Sequence, residues 1–280
     1  MANVDWSSID AVLFDLDGVL TPTAEIHEQA WTDMFDSFLA DRAGGDSFVP
    51  FDADDYLRYV DGKPRFEGVR SFVESRQLDL PEGTLDDPPG YGTVGALGNM
   101  KNAAFQQILR TDGIAPYAGS VRLLDALQVR GVSVAVVSSS KNAPEVLAAA
   151  GLASRFEVVV DGNVAAAESL AGKPKPDTFL HAATALGVPA GRAVVAEDAL
   201  SGVAAGRAGG FAVVVGVDRG AGHQALADHG ADVVVDDLAE LLTSLGVADG
   251  QGQLGGQRSD RAAEPRPPGE PAHPAAPERQ

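Results

Sequence analysis

From about Ala118 onward the chain alternates short apolar runs with helical spacings, and few folds accept that alternation. Val132 to Val137, Phe156 to Val160, Ala193 to Ala196, Ala212 to Gly216 and Asp232 to Val235 are strand-like runs, most of them rich in valine. Helical segments at Ala143 to Ala150, Pro176 to Leu186, Asp198 to Ala208 and Gly222 to His229 separate them, with a proline at one helix start. Strands joined through helices run parallel, so the pattern predicts an α/β fold whose sheet is covered on both faces. In such sheets the site lies beyond the carboxyl ends of the strands.

One strand end near the amino terminus carries most of the chemistry. Ile9 to Phe14 reads as a strand buried on both faces, and it runs into FDLDGVLTPT, Phe14 to Thr23. Asp15 and Asp17 sit at its carboxyl end, where side chains two apart on an extended chain point the same way. Gly18 then lets the backbone turn away. Two carboxylates that close stay ionised together only with a cation between them, or one holds a proton. Either arrangement suits a metal-bound nucleophile beside a general acid/base. A solvated Asp-Gly loop has the same letters when taken alone. A calcium loop is excluded, because Val19, Leu20 and Ile26 stand where it needs a ligand, a turn glycine and a bidentate Glu.

Three later strand ends carry polar groups as well. Val132 to Val137 ends in Ser138, Ser139, Ser140, Lys141 and Asn142, which gather hydroxyls, backbone amides and a cation suited to phosphate oxygens. A serine-rich helix cap before Pro144 reads equally well there. Gly172 to Asp177, GKPKPD, fixes Lys173 in a stiff loop before a helix. Ala193 to Ala196 ends in Glu197 and Asp198, which alone would only cap the next helix. A parallel sheet brings all four strand ends to one crevice, and together they stop being independent coincidences.

Composition narrows the ligands. The formal net charge is -19, which argues against nucleic acid or an anionic membrane surface as partner. An anionic ligand then needs a local basic pocket or a metal. No stretch is apolar and long enough to span a bilayer, MANVDWSSID lacks a basic start followed by an apolar core, and cysteine is absent, so cytoplasm is the default expectation. Lysine occurs only at 63, 101, 141, 173 and 175, while arginine is scattered throughout. A position that keeps lysine in such a chain marks a compact point charge, although skewed codon usage gives the same scarcity.

The ordered set DxD, Ser, Lys, Glu-Asp resembles the haloacid dehalogenase-like phosphotransferase superfamily. Within it, DLDGVLTPTAEIHEQAW with Thr23, Glu25, His27 and Trp31, then Lys101-Asn102, Ser138 to Asn142, GKPKPD and Glu197-Asp198, is similar to the β-phosphoglucomutases and their close relatives. The likeness covers about Val12 to Leu242. It departs from them at Pro22, at Ala199 and in a longer insert from Asp41 to about Gly98.

The resemblance implies a Rossmann-like core in residues 1–23 and 114–248, a helical cap in 24–113, and a tail in 249–280 whose composition predicts disorder. Helical spacing over Glu25 to Leu39, Tyr56 to Tyr59, Phe66 to Glu74 and Asn99 to Leu109 fits such a cap. It implies that Asp15 is the nucleophile and Asp17 the general acid/base. Magnesium (Mg2+) would be held by Asp15, the Asp17 carbonyl and Asp198, with Glu197 a ligand or close behind one. Lys173, Ser138 and amides near Ser139 and Leu16 would hold the transferring phosphate. Arg65, Ser140, Lys141 and Asn142 match residues that hold the distal phosphate of a bisphosphorylated sugar, and His27 with Lys101 matches a cap-to-hinge contact. Lys63 is a weaker candidate, and Trp31 reads as a core aromatic. The partner implied is a small phosphorylated sugar, with the chain acting as a monomer. Transfer to a sugar hydroxyl would make a mutase. Transfer to water would make a sugar-phosphate phosphatase, on trehalose 6-phosphate for example. A non-enzymatic receiver module also uses Asp, Lys and paired acids, but there the phosphoacceptor follows the acidic pair instead of preceding it.

Overall fold

The computed structural model describes residues 4–60 and 65–247, so the tail and Lys63 lie outside the described residues. A 3-10 turn at Trp6–Ser8 leads into β1 (Ala11–Phe14). The chain continues through α1 (Thr23–Ala43), the single turn α2 (Ala53–Asp55) running into a π-turn at Tyr56–Val60, α3 (Arg65–Ser75), α4 (Val94–Asp112) and α5 (Ala118–Val129). After that come β2 (Ser133–Val137), α6 (Ala143–Ala149), β3 (Val158–Val160), α7 (Gly162–Ala167) and α8 (Asp177–Ala185). The last stretch holds β4 (Ala193–Glu197), α9 (Leu200–Ala208), β5 (Val213–Val217), α10 (His223–Asp228), β6 (Val233–Val235) and a 3-10 turn at Leu238–Leu242.

The six strands form one sheet in the order β3-β2-β1-β4-β5-β6, every pairing parallel. Strand order reverses between β1 and β4, and such a switch point opens a crevice at the carboxyl ends. All four residues of β1 are buried, as a central strand covered on both sides requires. Alternate residues feed two apolar layers: Val12, Phe14, Val136, Val194 and Ala196 face one, while Ala11, Leu13, Ala135, Val137 and Val195 face the other. Register sets Phe14 opposite Val136 and Ala196. One residue on, Asp15 is level with Val137 and Glu197.

Helices α1, α3 and α4 build a third apolar cluster around Trp31, Phe35, Phe38, Phe72 and Leu97. Trp31 is buried and stacks on Phe35 at 5.3 Å between ring centroids, as a core aromatic would. Ala30 of α1 and Phe105 of α4 belong instead to the cluster beneath the sheet, so these two helices run from one core into the other. Several boundaries differ from the sequence expectation. Thr23 is the first residue of α1, not the end of the preceding segment, and α9 starts at Leu200, which leaves Asp198 outside it. Helix α4 starts at Val94 instead of Asn99, because Thr93 accepts the Ala96 amide and caps the helix earlier. No helix among the described residues is long and apolar enough to cross a membrane.

Candidate active site

Asp15 follows β1 directly and is buried, with its amide bonded to the Ala196 carbonyl of the next strand at 2.9 Å. Its Oδ1 accepts from Lys173 Nζ at 2.5 Å. The same ammonium donates to Glu197 Oε1 at 2.7 Å and to the Val137 carbonyl at 3.2 Å. Lys173 thus ties β1, β2 and β4 together at the switch point. The other Glu197 oxygen accepts from the Ala199 amide at 2.7 Å, so both of its oxygens are committed.

Asp17 has different partners. Thr23 Oγ1 donates to its Oδ1, and Ser138 Oγ lies 3.5 Å from its Oδ2. Ser138 is buried at the end of β2, and its hydroxyl also accepts the Ser140 amide at 3.1 Å. The Asp17 carboxylate is therefore held by two neutral hydroxyls, one of them from the first turn of α1.

Asp198 lies against the turn after Asp17. A Cβ on Gly18 would meet Asp198 Oδ2 at 2.0 Å, and Gly18 has φ +82°, so only glycine fits there. Gly202 makes room in the same way, since a Cβ on it would sit 1.7 Å from Glu197 Oε1.

Four acids thus crowd one buried ammonium, and the surplus negative charge shows in their protonation. Burial raises the Asp15 carboxyl well above its ordinary range; Lys173 opposes this, and Glu197, Asp17 and Asp198 reinforce it. Burial also raises Asp17, against the Thr23 hydrogen bond. Asp198 is pushed up to about 8 by burial and by Glu197. Burial works against the Lys173 charge, but Asp15 and Glu197 outweigh it and its pKa is raised. A hard divalent cation would relieve this surplus, and carboxylate and carbonyl oxygens suit magnesium. The donor chemistry therefore fits the group, although three of these four carboxylates do not converge within 4.8 Å. Among the described residues, the set that does so is Asp218, His223 and Asp236, beyond β5 and β6.

The helices between β1 and β2 add a second group. Lys101 is buried on α4, and its Nζ lies 2.5 Å from His27 Nδ1 on α1. His27 stacks on Phe105 with centroids 4.2 Å apart, and the Lys101 ammonium sits 4.9 Å over the same ring. Burial and the nearby Arg65 hold Lys101 down at about 7. Burial and Lys101 hold His27 down at about 3, so the imidazole is neutral. Asn102 accepts from Asn142 Nδ2 at 2.9 Å, which links α4 to the loop after β2. Arg65 opens α3 and donates to Asn99 Oδ1 at 3.3 Å. In the loop before α6, Ser140 is half-buried and accepts the Asn142 amide at 3.1 Å, while Ser139 and Lys141 are exposed.

Direct contacts thus join Asp15, Lys173 and Glu197 in one set and Asp17, Thr23 and Ser138 in another, with Asp198 packed on Gly18. Lys101 pairs with His27, and Asn102 with Asn142. Gly202, Arg219 and Asn99 lie outside every motif that the sequence offered, so nothing singled them out. Arg219 donates from Nε to the Gly18 carbonyl at 2.7 Å and lies 3.9 Å over Tyr117.

The family model of haloacid dehalogenase-like hydrolases matches residues 9–210. The chain belongs to this haloacid dehalogenase-like hydrolase family. It is 56% identical over 240 residues to the beta-phosphoglucomutase of Mycobacterium tuberculosis strain CDC 1551, covering 84% of this chain and 92% of that one. The crystal structure of a HAD family hydrolase from Deinococcus radiodurans R1, with bound phosphate and sodium, superposes with TM-score 0.64 at 31% identity over 86% of this chain and 97% of that one. A CbbY variant from Rhodobacter sphaeroides, in complex with xylulose-(1,5)bisphosphate, gives TM-score 0.64 at 26% identity over 85% and 99%. Like these haloacid dehalogenase-like relatives, the chain is a phosphoryl-transfer enzyme.

Proposed function

We propose that the enzyme is a magnesium-dependent β-phosphoglucomutase that interconverts β-glucose 1-phosphate and glucose 6-phosphate through glucose 1,6-bisphosphate. The observation that carries this reading is the separate partnering of the two strand-end acids. Asp15 is set against an ammonium and Asp17 against neutral hydroxyls. A nucleophile must stay anionic, and Lys173 favours that state. A general acid must carry a proton when the leaving oxygen departs, and burial raises the Asp17 carboxyl in that direction while its partners are neutral hydroxyls.

Asp15, the Asp17 carbonyl and Asp198 would hold the metal, which when bound neutralises phosphate charge and lets one anion approach another. With both oxygens committed, Glu197 acts by holding Lys173. Asp15 attacks phosphorus through the oxygen that Lys173 leaves open, the P–O bond to the sugar breaks, and Asp17 gives its proton to the leaving oxygen. Ser138, Lys173 and amides beside Ser139 and Leu16 steady the transferring group. In the second half, Asp17 takes the proton of the 6-hydroxyl of an incoming β-glucose 1-phosphate as that oxygen attacks the aspartyl-phosphate, and the bond between Asp15 and phosphorus breaks to regenerate the bisphosphate.

The sugar is supported by the mycobacterial relative and by Arg65, Ser140, Lys141 and Asn142, which by the resemblance would hold a second phosphate that simple hydrolysis has no use for. Helices that close over the crevice would exclude water, and the Thr23 hydroxyl ties α1 to Asp17. Substituting Asp17→Asn tests the reading. Turnover of β-glucose 1-phosphate should fall by at least about 10²-fold, with an unchanged circular dichroism spectrum. Near-normal turnover would overturn it.

A further inference from the structure

The Asp79 to Thr93 stretch between α3 and α4 has no catalytic residue, yet it is tightly built. The Val94 amide donates to the Pro81 carbonyl at 2.9 Å and the Gly95 amide to Glu82 at 3.0 Å. Asp87 accepts from Thr84 Oγ1 at 2.6 Å and also from Thr93 Oγ1. Gly95 is needed for this closeness, because a Cβ there would lie 1.9 Å from the Thr84 carbonyl oxygen.

The loop's outward effect passes through Asn99. Its Nδ2 donates to the Leu85 carbonyl at 2.8 Å and to the Asp87 carbonyl at 2.9 Å. With both amide hydrogens engaged, the side chain cannot flip, so Oδ1 is turned to Arg65 Nη2, 3.3 Å away. The guanidinium lies 4.9 Å over Phe66, whose ring occupies the space that a Cβ on Gly98 would enter at 2.7 Å. Arg65 Nε is buried without a hydrogen-bond partner. A buried donor left unmade is costly, and a phosphate oxygen satisfies it best.

We infer that Asn99, locked by the 79–93 loop, is a positioning residue that aims Arg65 at the distal phosphate of the sugar. This rests on the mutase reading above and gives the long insert a task. The loop fixes Asn99, Asn99 fixes one guanidinium nitrogen, and the Nε edge is left for substrate. Anion recognition by arginine depends on the orientation of its planar fork.

The test is steady-state kinetics of Asn99→Ala and of the near-isosteric Asn99→Asp, with glucose 1,6-bisphosphate varied and acetyl phosphate as a donor lacking a second phosphate. Both variants should raise the KM for the bisphosphate about tenfold or more, and leave acetyl phosphate hydrolysis within about twofold of wild type. Adding Arg65→Ala to Asn99→Ala should cost little beyond Arg65→Ala alone, because the two act as one unit. An unchanged KM in both Asn99 variants would overturn the inference, and so would a parallel loss of acetyl phosphate turnover. A wild-type protein that hydrolyses acetyl phosphate but never uses the bisphosphate would instead bring down the mutase reading, and the inference with it.

Discussion

Asp15 and Asp17 lie two residues apart on one strand end, and the separate roles proposed for them follow from their separate partners. Lys173 reaches Asp15 from a loop 158 residues later in the chain, whereas Thr23 and Ser138 bring only hydroxyls to Asp17. The surplus of acids around Lys173 has a measurable consequence. The Asp198 carboxyl, at about 8 instead of about 4, keeps a proton in the folded chain that the unfolded chain has lost. Between those values the folded state binds more protons, so without metal this group's contribution to stability is lost as pH rises through about 8. Asp15 and Asp17 are raised and push the same way. If magnesium binds these acids as proposed, it would take over the proton's task, so it should raise the melting temperature more at pH 8 than at pH 5. His27 and Lys101 shift in the opposite sense, but comparing each pH with and without metal removes their part. Thermal scans in the four conditions check this; an equal shift at both pH values would contradict it.

At the scale of elements, β4 and α9 work as a pair. The strand delivers Glu197, and the helix leaves a hollow for its carboxylate at Gly202. Substituting Gly202→Ala should push Glu197 aside, loosen Lys173 and lower turnover by about 10²-fold, read by kinetics beside a circular dichroism spectrum that stays helical. Full activity would show that Glu197 does not place Lys173. The strand ends were legible because acids, serines and a lysine punctuate valine runs, and valine runs of that length leave little choice but buried strand. Gly202 was illegible, because the run ALSGVAAG says only that small residues pack there, not what they make room for. Glycine also hid the first turn of α4. Gly92, Gly95 and Gly98 lower helix propensity and suggest a loop, yet two of them are required by Thr84 and Phe66 pressing on the helix. The short helix α7 was missed too; it exists because Asp161 caps it through the Asn163 and Val164 amides at 3.0 and 2.8 Å.

At the scale of the molecule, two helices join what two apolar cores would otherwise separate. Ala30 and Trp31, neighbours on α1, belong to different clusters, and α4 passes likewise from Leu97 to Phe105. In the proposed mechanism, the Thr23-to-Asp17 bond at the root of α1 would link the helices that follow β1 to the acid/base. The helical character of the stretch between β1 and β2 was readable from the change of periodicity along the chain. How α1 meets α4 was not, because Lys101 and His27 lie 74 residues apart and only folding sets their 2.5 Å contact. A cap joined to the acid/base in this way predicts that the phosphoryl group passes between sugar oxygens without reaching water. Phosphorus NMR of the protein with magnesium, β-glucose 1-phosphate and a trace of glucose 1,6-bisphosphate measures that partition directly. Accumulation of glucose 6-phosphate with no inorganic phosphate is the predicted result, and steady release of inorganic phosphate would contradict it.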